Sequence, residues 1–242
     1  MTSLFRKAFK GAEIGNTLPL PLFPSKGVVL MEFETIIYQL CDEEKIAWVT
    51  MNRPDKKNAI NKKMIEEMSQ AFHHAEANEN VRVILFNGNG SCFSSGHDLS
   101  ASENYPTTSE ERIKWERKYY FDEIMYVRNI RKPVISLVHS YCIAAGFVLA
   151  LMADIVIASE DAVFFDPVVK WGANSQEVLV LPWLIGEKKT KELLFTGDKL
   201  TADEAERLGM INKVVPREEL EKRGLEFAKK IGSMPPMGIS LM

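Results

Sequence analysis

From Met31 onward, apolar and polar positions switch between two periods. Ile36–Leu40 and Ile46–Met51 flank the polar turn CDEEK and predict a strand pair. The stretch NRPDKKNAIN then leads into a helix over Lys62–Ala77, where Met64, Ile65, Met68, Ala71, Phe72 and Ala75 recur at helical spacing. Val81–Phe86 predicts a buried strand, followed by the Gly/Ser/Asn loop NGNGSCFSSGHDLS. Thr108–Asn129 predicts a long charged helix, and Val134–Val138 another buried strand. A helix over Ala145–Ala153 and a strand over Ile155–Ala158 come next. Lys188–Thr196, Ala202–Leu208 and Arg217–Ile231 predict helices around a short strand at Lys213–Val215. Short strands alternating with helices define an α/β protein.

Residues 1–30 break this pattern. Arg6, Lys7, Lys10 and Lys26 stand against a lone Glu13, and LPLPLFP carries three prolines, which excludes a central strand or a long helix. A disordered extension is expected there, with a basic organelle leader as the alternative. The remainder divides into a core over 31–200 and a helical C-terminal portion over 201–242.

Composition narrows the class. At 242 residues, with 46% hydrophobic and 26% charged residues, the chain can bury a sizeable core. A net charge of −3 offers no electrostatic footprint for nucleic acid. The longest apolar run, Tyr141–Ala153, ends at Asp154 and is too short to span a bilayer, so a soluble protein is expected. Cys41, Cys92 and Cys142 lack metal-type spacing and are expected to be reduced thiols in the cytoplasm, or in an organelle matrix if residues 1–30 are a leader. The spacing of the four histidines gives no metal site.

Candidate chemistry centres on SYCIAAGFVLALMADIVIAS, where small residues crowd a strand-to-helix junction. Helix starts expose backbone N–H groups, and Ala145 and Gly146 would let a ligand approach them. The loop FSSGHDL offers a second set of amides beside Gly96. Two converging donors make an oxyanion hole; tight packing is the alternative reason for such small residues.

VTMNRPDKKNAIN, FSSGHDLS, KPVISLVHSYCIAAGFVLALMADIVIAS and KELLFTGDKLTADEAERLGMINKVVP, in that order, resemble the crotonase (enoyl-CoA hydratase/isomerase) superfamily from about Met31 to the C-terminus. The resemblance implies a spiral of repeated ββα units with a helical C-terminal portion, and a homotrimer or hexamer. It implies an acyl-CoA thioester substrate, with no metal and no cofactor beyond the coenzyme A that the substrate carries. Position by position, the two thioester-binding amides fall on His97, after Gly96, and on Ala145, before Gly146. Lys56, Lys57 and Ala59 match the segment that runs along coenzyme A, where lysine charge suits phosphates. SMPPMGISLM stops where relatives begin another helix, so exposed apolar residues near Ile239 and Leu241 and altered assembly are expected.

The departures matter as much. The resemblance implies glutamates at the positions of Val148 and Val168, and valine transfers no proton. Asp166, just after a short apolar strand and beside Phe164, Phe165 and Val168, and Glu177, in GANSQEV, become the candidate acid–base groups. Asp166 as a backbone-capping acceptor is the competing role. Trp171 and Trp183 are candidate pocket residues with core packing as the default, the His97 ring has an outward orientation as one alternative, and Asp154 is expected to be structural. Three functions stay open: enolate chemistry of hydratase/isomerase lineage, a hydrolase or other lyase of an unusual acyl-CoA, and a non-catalytic acyl-CoA-binding partner.

Overall fold

The computed structural model describes residues 28–31, 33–41, 45–100, 106–172 and 178–241. Strands β3 (Ile46–Met51), β4 (Val83–Gly88), β5 (Val134–Val138) and β7 (Ile155–Ser159) lie side by side and parallel. Their sequences are nearly unbroken apolar runs because the sheet is covered on both faces. The pleat sorts the side chains: Trp48, Leu85, Leu137 and Ile157 belong to one buried cluster, while Val49, Phe86, Val138 and Val156 belong to another. Antiparallel β1 (Val28–Met31) and β2 (Ile36–Cys41) complete one edge and β10 (Lys213–Val215) the other, in the order β1-β2-β3-β4-β5-β7-β10. The sheet therefore starts at Val28, ahead of the boundary expected at Met31. Residues 1–27, the rest of the expected extension, lie outside the described residues.

A second sheet holds β6 (Tyr141–Ile143), β8 (Val163–Phe165), the short apolar strand expected just before Asp166, and β9 (Leu200–Thr201); β6 and β9 were too short to stand out in the apolar pattern. Helix α1 (Lys62–Ala77) begins as predicted, with Asn61 accepting the Met64 N–H at 2.9 Å. The helix expected over Thr108–Asn129 is built in three pieces: α2 (Ser109–Glu116), a π-helical segment (Arg117–Asp122) and α3 (Glu123–Asn129). Helix α4 (Ala145–Leu151) is buried along its whole length, which is why it carries no charge. It ends before the predicted Ala153 because Asp154 turns the chain: its carboxylate accepts the Val134 N–H at 2.8 Å, and its own N–H donates to Val134 O at 3.0 Å. Asp154 is thus structural, as expected. Val81 is buried but closes a turn onto Asn78 O at 3.0 Å, so β4 starts two positions later than predicted.

The C-terminal part contributes α5 (Leu181–Ile185), α6 (Glu187–Thr196), α7 (Ala202–Arg207), α8 (Leu220–Gly232) and α9 (Pro236–Ser240). A 3-10 turn at Arg217–Glu219 precedes α8, splitting the helix expected over Arg217–Ile231. Leu220 and Ala228 of α8 join the Trp48–Leu85–Leu137 cluster, while α1, α3 and α4 supply the opposite one. Gly224 permits this contact, since a Cβ there would lie 2.6 Å from Leu137 Cδ2. Met237 and Leu241 are exposed near the chain end. Among the described residues no helix is long and apolar enough to cross a membrane, and no His/Cys/Asp/Glu cluster could hold a metal ion.

Candidate active site

The loop after β4 is tied down on two sides. Toward β6, the Phe93 N–H donates to His139 O at 3.0 Å, Ser94 N–H to Tyr141 O at 3.1 Å, and Ile143 N–H to Ser94 O at 3.0 Å. Toward the turn at Lys57–Ile60, the Ser95 N–H donates to Lys57 O at 3.0 Å, Ile60 N–H to Gly96 O at 2.8 Å, and Asp98 N–H to Ile60 O at 2.9 Å. Buried Asn58 fastens the same strap, its amide nitrogen reaching Asn89 O, Cys92 O and Phe93 O at 2.8 to 3.1 Å. Arg53 and Asp98 pair at 2.9 Å. Burial opposes ionisation of Asp98, yet hydrogen bonds from the Ser100 backbone and Arg53 prevail and hold its carboxyl below the ordinary value.

This strap meets the start of α4. Gly96 has φ +86°, and a Cβ there would stand 3.0 Å from Ile143 O, 3.2 Å from Ala144 Cβ and 3.7 Å from Ala145 N. Any side chain would be strained by backbone and neighbours together. The structure therefore brings the two predicted amide-bearing segments, Gly96–His97 and Ala144–Ala145, against each other. Ala144 caps α4 at φ 49°, ψ −117°, a conformation that favours glycine, fixed by its N–H to Phe165 O at 3.1 Å and by its carbonyl to Val148 N–H at 3.0 Å. Ala145 is the first helical residue, where the N–H has no acceptor inside the helix. At Gly146 the tight-packing alternative holds: a Cβ there would meet Ser94 Cβ at 2.6 Å and Ser94 Oγ at 2.7 Å. The close approach at Gly146 is by the strap.

Both His97 and Ala145 line a narrow apolar cleft with a free volume of about 30 Å³. Ile65, Met68 and Phe72 of α1, Ile124 and Val127 of α3 and Leu149 of α4 form its walls. The His97 ring faces into this cleft, stacked on Tyr120 at 3.8 Å between centroids, and Trp115 meets Tyr120 edge-on at 4.9 Å. The outward orientation is thereby excluded. The wide π turn ahead of α3 lets Tyr119, Tyr120 and Glu123 share the cleft face. Glu123 is the carboxylate among the described lining residues, and the sequence reading missed it inside a helix taken as a charged surface. The available signal was its place in the stripe Tyr120–Glu123–Ile124–Val127, which is otherwise apolar or aromatic.

The other sequence candidates fall elsewhere. Asp166 follows β8, is buried, and its Oδ1 accepts the Val168 N–H at 3.1 Å, the geometry of the capping role; it is not among the described cleft residues. Glu177 lies outside the described residues. Lys56 is exposed at the end of the 3-10 turn Pro54–Lys56, Lys57 follows it at φ 53°, and the Ala59 carbonyl accepts from Arg53. Val148 is buried in the main core, and Val168 packs with Ile143, Ala144 and Phe165 beside the start of α4. Trp183 is 82% exposed, and neither it nor Trp171 lines the cleft. His73 and His74 are exposed on α1. His139 is buried beneath the strap, with Nε2 3.1 Å from Gly90 O; burial, then the Arg217 charge, push its pKa down to about 4.

The fold that positions this strap and helix start is shared with known proteins. A model of the enoyl-CoA hydratase/isomerase family matches residues 42–241, and the chain belongs to that family. EchA13 of Mycobacterium tuberculosis, which carries an enoyl-CoA hydratase name, is 39% identical over 231 residues, covering 87% of this chain and 73% of that protein. An enoyl-CoA hydratase/isomerase structure from Xanthobacter autotrophicus Py2 superposes with a TM-score of 0.81 at 34% identity, covering 86% of this chain and 77% of that one. A Mycobacterium smegmatis structure with an enoyl-CoA hydratase name gives 0.80 at 40% identity, covering 86% and 82%. The fold is the crotonase fold, as the sequence resemblance implied.

Proposed function

We propose that this chain is an enzyme acting on an acyl-CoA thioester, its thioester oxygen held by the His97 and Ala145 amides while an enolate forms. The observation that carries this reading is the seating of Gly96 against Ala144 and Ala145 at the edge of an apolar cleft reached by both His97 and Ala145. Such donors stabilise charge that develops on the oxygen, each by about 3 kcal/mol. Apolar walls suit an acyl chain, and Lys56 and Lys57 suit coenzyme A phosphates. Family membership and the enoyl-CoA names of the relatives support the substrate class.

Val148 and Val168 stand at the positions where the family resemblance puts proton-transferring glutamates, so hydration of simple straight-chain enoyl-CoA is expected to be slow or absent. Of the two acids in the segment after β8, Asp166 is engaged as the cap of the Val168 N–H and is not among the described cleft residues, which leaves Glu177 as the proposed acid–base group there. The same valines favour a second reading, a non-catalytic acyl-CoA binder. Calorimetric binding and steady-state turnover over an acyl-CoA panel separate them: binding with turnover supports the enzyme, binding alone supports the binder. Absence of binding to every acyl-CoA would sink both. Glu177→Gln is expected to lower turnover at least about 100-fold, the scale of a lost general acid or base.

A further inference from the structure

We infer that Glu123 is the base that removes the α-proton of the bound thioester. This inference rests on the acyl-thioester reading of the same cleft. Glu123 begins α3, directly after the π-helical segment, and shares the cleft with Ala145 and His97. Its surroundings are built rather than incidental. On the same face, Tyr120 is buried and held between the His97 ring at 3.8 Å and the Trp115 edge at 4.9 Å. The backbone N–H of Glu123 is bonded to Tyr120 O, which fixes its position relative to that aromatic cluster. One helical turn on, Tyr126 donates its hydroxyl to Glu76 at 2.6 Å, within reach of the Glu123 charge. A half-buried carboxylate is thereby presented to a cleft whose walls are Ile65, Met68, Phe72 and Val127.

The chemistry balances without a further reactant. The Glu123 carboxylate takes the proton from the α-carbon, the C–H bonding pair moves into a carbon–carbon double bond, and the thioester π pair moves onto its oxygen. The His97 and Ala145 amides receive that negative charge. Glu123, now protonated, returns a proton to the α-carbon, or to the γ-carbon when the acyl group carries a β,γ double bond. The first path exchanges the α-proton with solvent, and the second shifts the double bond. A carboxylate at this place would supply proton transfer from the α2–α3 side of the cleft, leaving Val148 and Val168 without a role in it.

The test uses the full chain and a β,γ-unsaturated six-carbon acyl-CoA, whose α-protons are acidified by conjugation of the enolate. Proton NMR in deuterated buffer follows α-deuterium incorporation, and calorimetry follows binding. The unaltered protein should exchange the α-protons. Glu123→Gln should slow exchange about 100-fold with binding affinity kept within about threefold, and Glu123→Asp, one methylene shorter, should also slow it. Binding with undiminished exchange in both variants, or binding by the unaltered protein with no exchange, overturns the role of Glu123 and leaves the acyl-CoA reading standing. Failure of the unaltered protein to bind the thioester overturns that reading, and this inference with it.

Discussion

The strap that carries His97 and the helical wall that faces it are built by opposite means. The strap is polar and tightly bonded: Ser94 is fully buried, its Oγ donating to Asn58 O at 2.8 Å and accepting from Gly96 N–H at 3.2 Å. Asn58 closes the loop from the other side. The wall from Trp115 to Val127 relies on rings and apolar contacts, with Tyr120 between His97 and Trp115. A hydrogen-bonded strap fixes backbone amides in place, which charge stabilisation requires. An aromatic wall sets the shape of the acyl cleft and can vary without disturbing those amides.

Breaking the strap should therefore cost most. Gly146→Val would drive its side chain into Ser94 Cβ and Oγ, found 2.6 and 2.7 Å from an added Cβ. The expected loss is about 3 kcal/mol, at the upper end of overpacking costs, together with acyl-CoA binding. Thermal unfolding should show a fall of roughly 6–12 °C. An unchanged melting temperature would mean that strap and helix separate easily.

Acid should weaken the same region by the next largest amount. The folded pKa of His139 is lowered to about 4 from 6.5, so the unfolded chain takes up a proton in this window and the folded chain does not. Stability is thus complete above the unfolded value and falls with pH toward the folded one, by about 2 kcal/mol from neutrality to about pH 5. Nearby Asp161 stays charged over this range: burial opposes its ionisation, but the Ser159 hydrogen bond and the Arg217 charge overcome it and hold its carboxyl below the ordinary value. Urea unfolding at both pH values should show this slope, and His139→Gln should flatten it.

The wall should yield less. Tyr120→Leu removes its ring contacts with His97 and Trp115, for an expected loss of about 1–2 kcal/mol of stability. Acyl-CoA affinity should fall less than about tenfold, and calorimetry with denaturant unfolding measures both. Outside the two regions, Lys56→Ala should raise the dissociation constant for acyl-CoA only about threefold at low salt, and not at all at high salt, because exposed charges are screened.

Legibility in the sequence follows this contrast. Strands β3, β5 and β10 and helix α1 were read at their observed bounds because two-sided or one-sided burial leaves a regular apolar pattern. The strap and the α4 start were visible because only small residues fit there, as Gly96 and Gly146 show. What small size could not reveal was the neighbour: Gly146 serves Ser94. Glu123 stayed hidden because a carboxylate on a charged helix looks solvated until a π turn, which has no strong sequence signature, rotates it toward the cleft. Strands β6 and β9 of the second sheet were missed since Tyr141–Ile143 and Leu200–Thr201 are shorter than any periodic signal.

The central claim is that a thioester oxygen sits between the His97 and Ala145 amides. Carbon-13 NMR of an acyl-CoA labelled at the thioester carbonyl tests it directly, since two converging donors polarise the C=O bond. The account predicts a downfield movement of the carbonyl resonance on binding to the unaltered protein. Tight binding with the carbonyl resonance at its free position would contradict it.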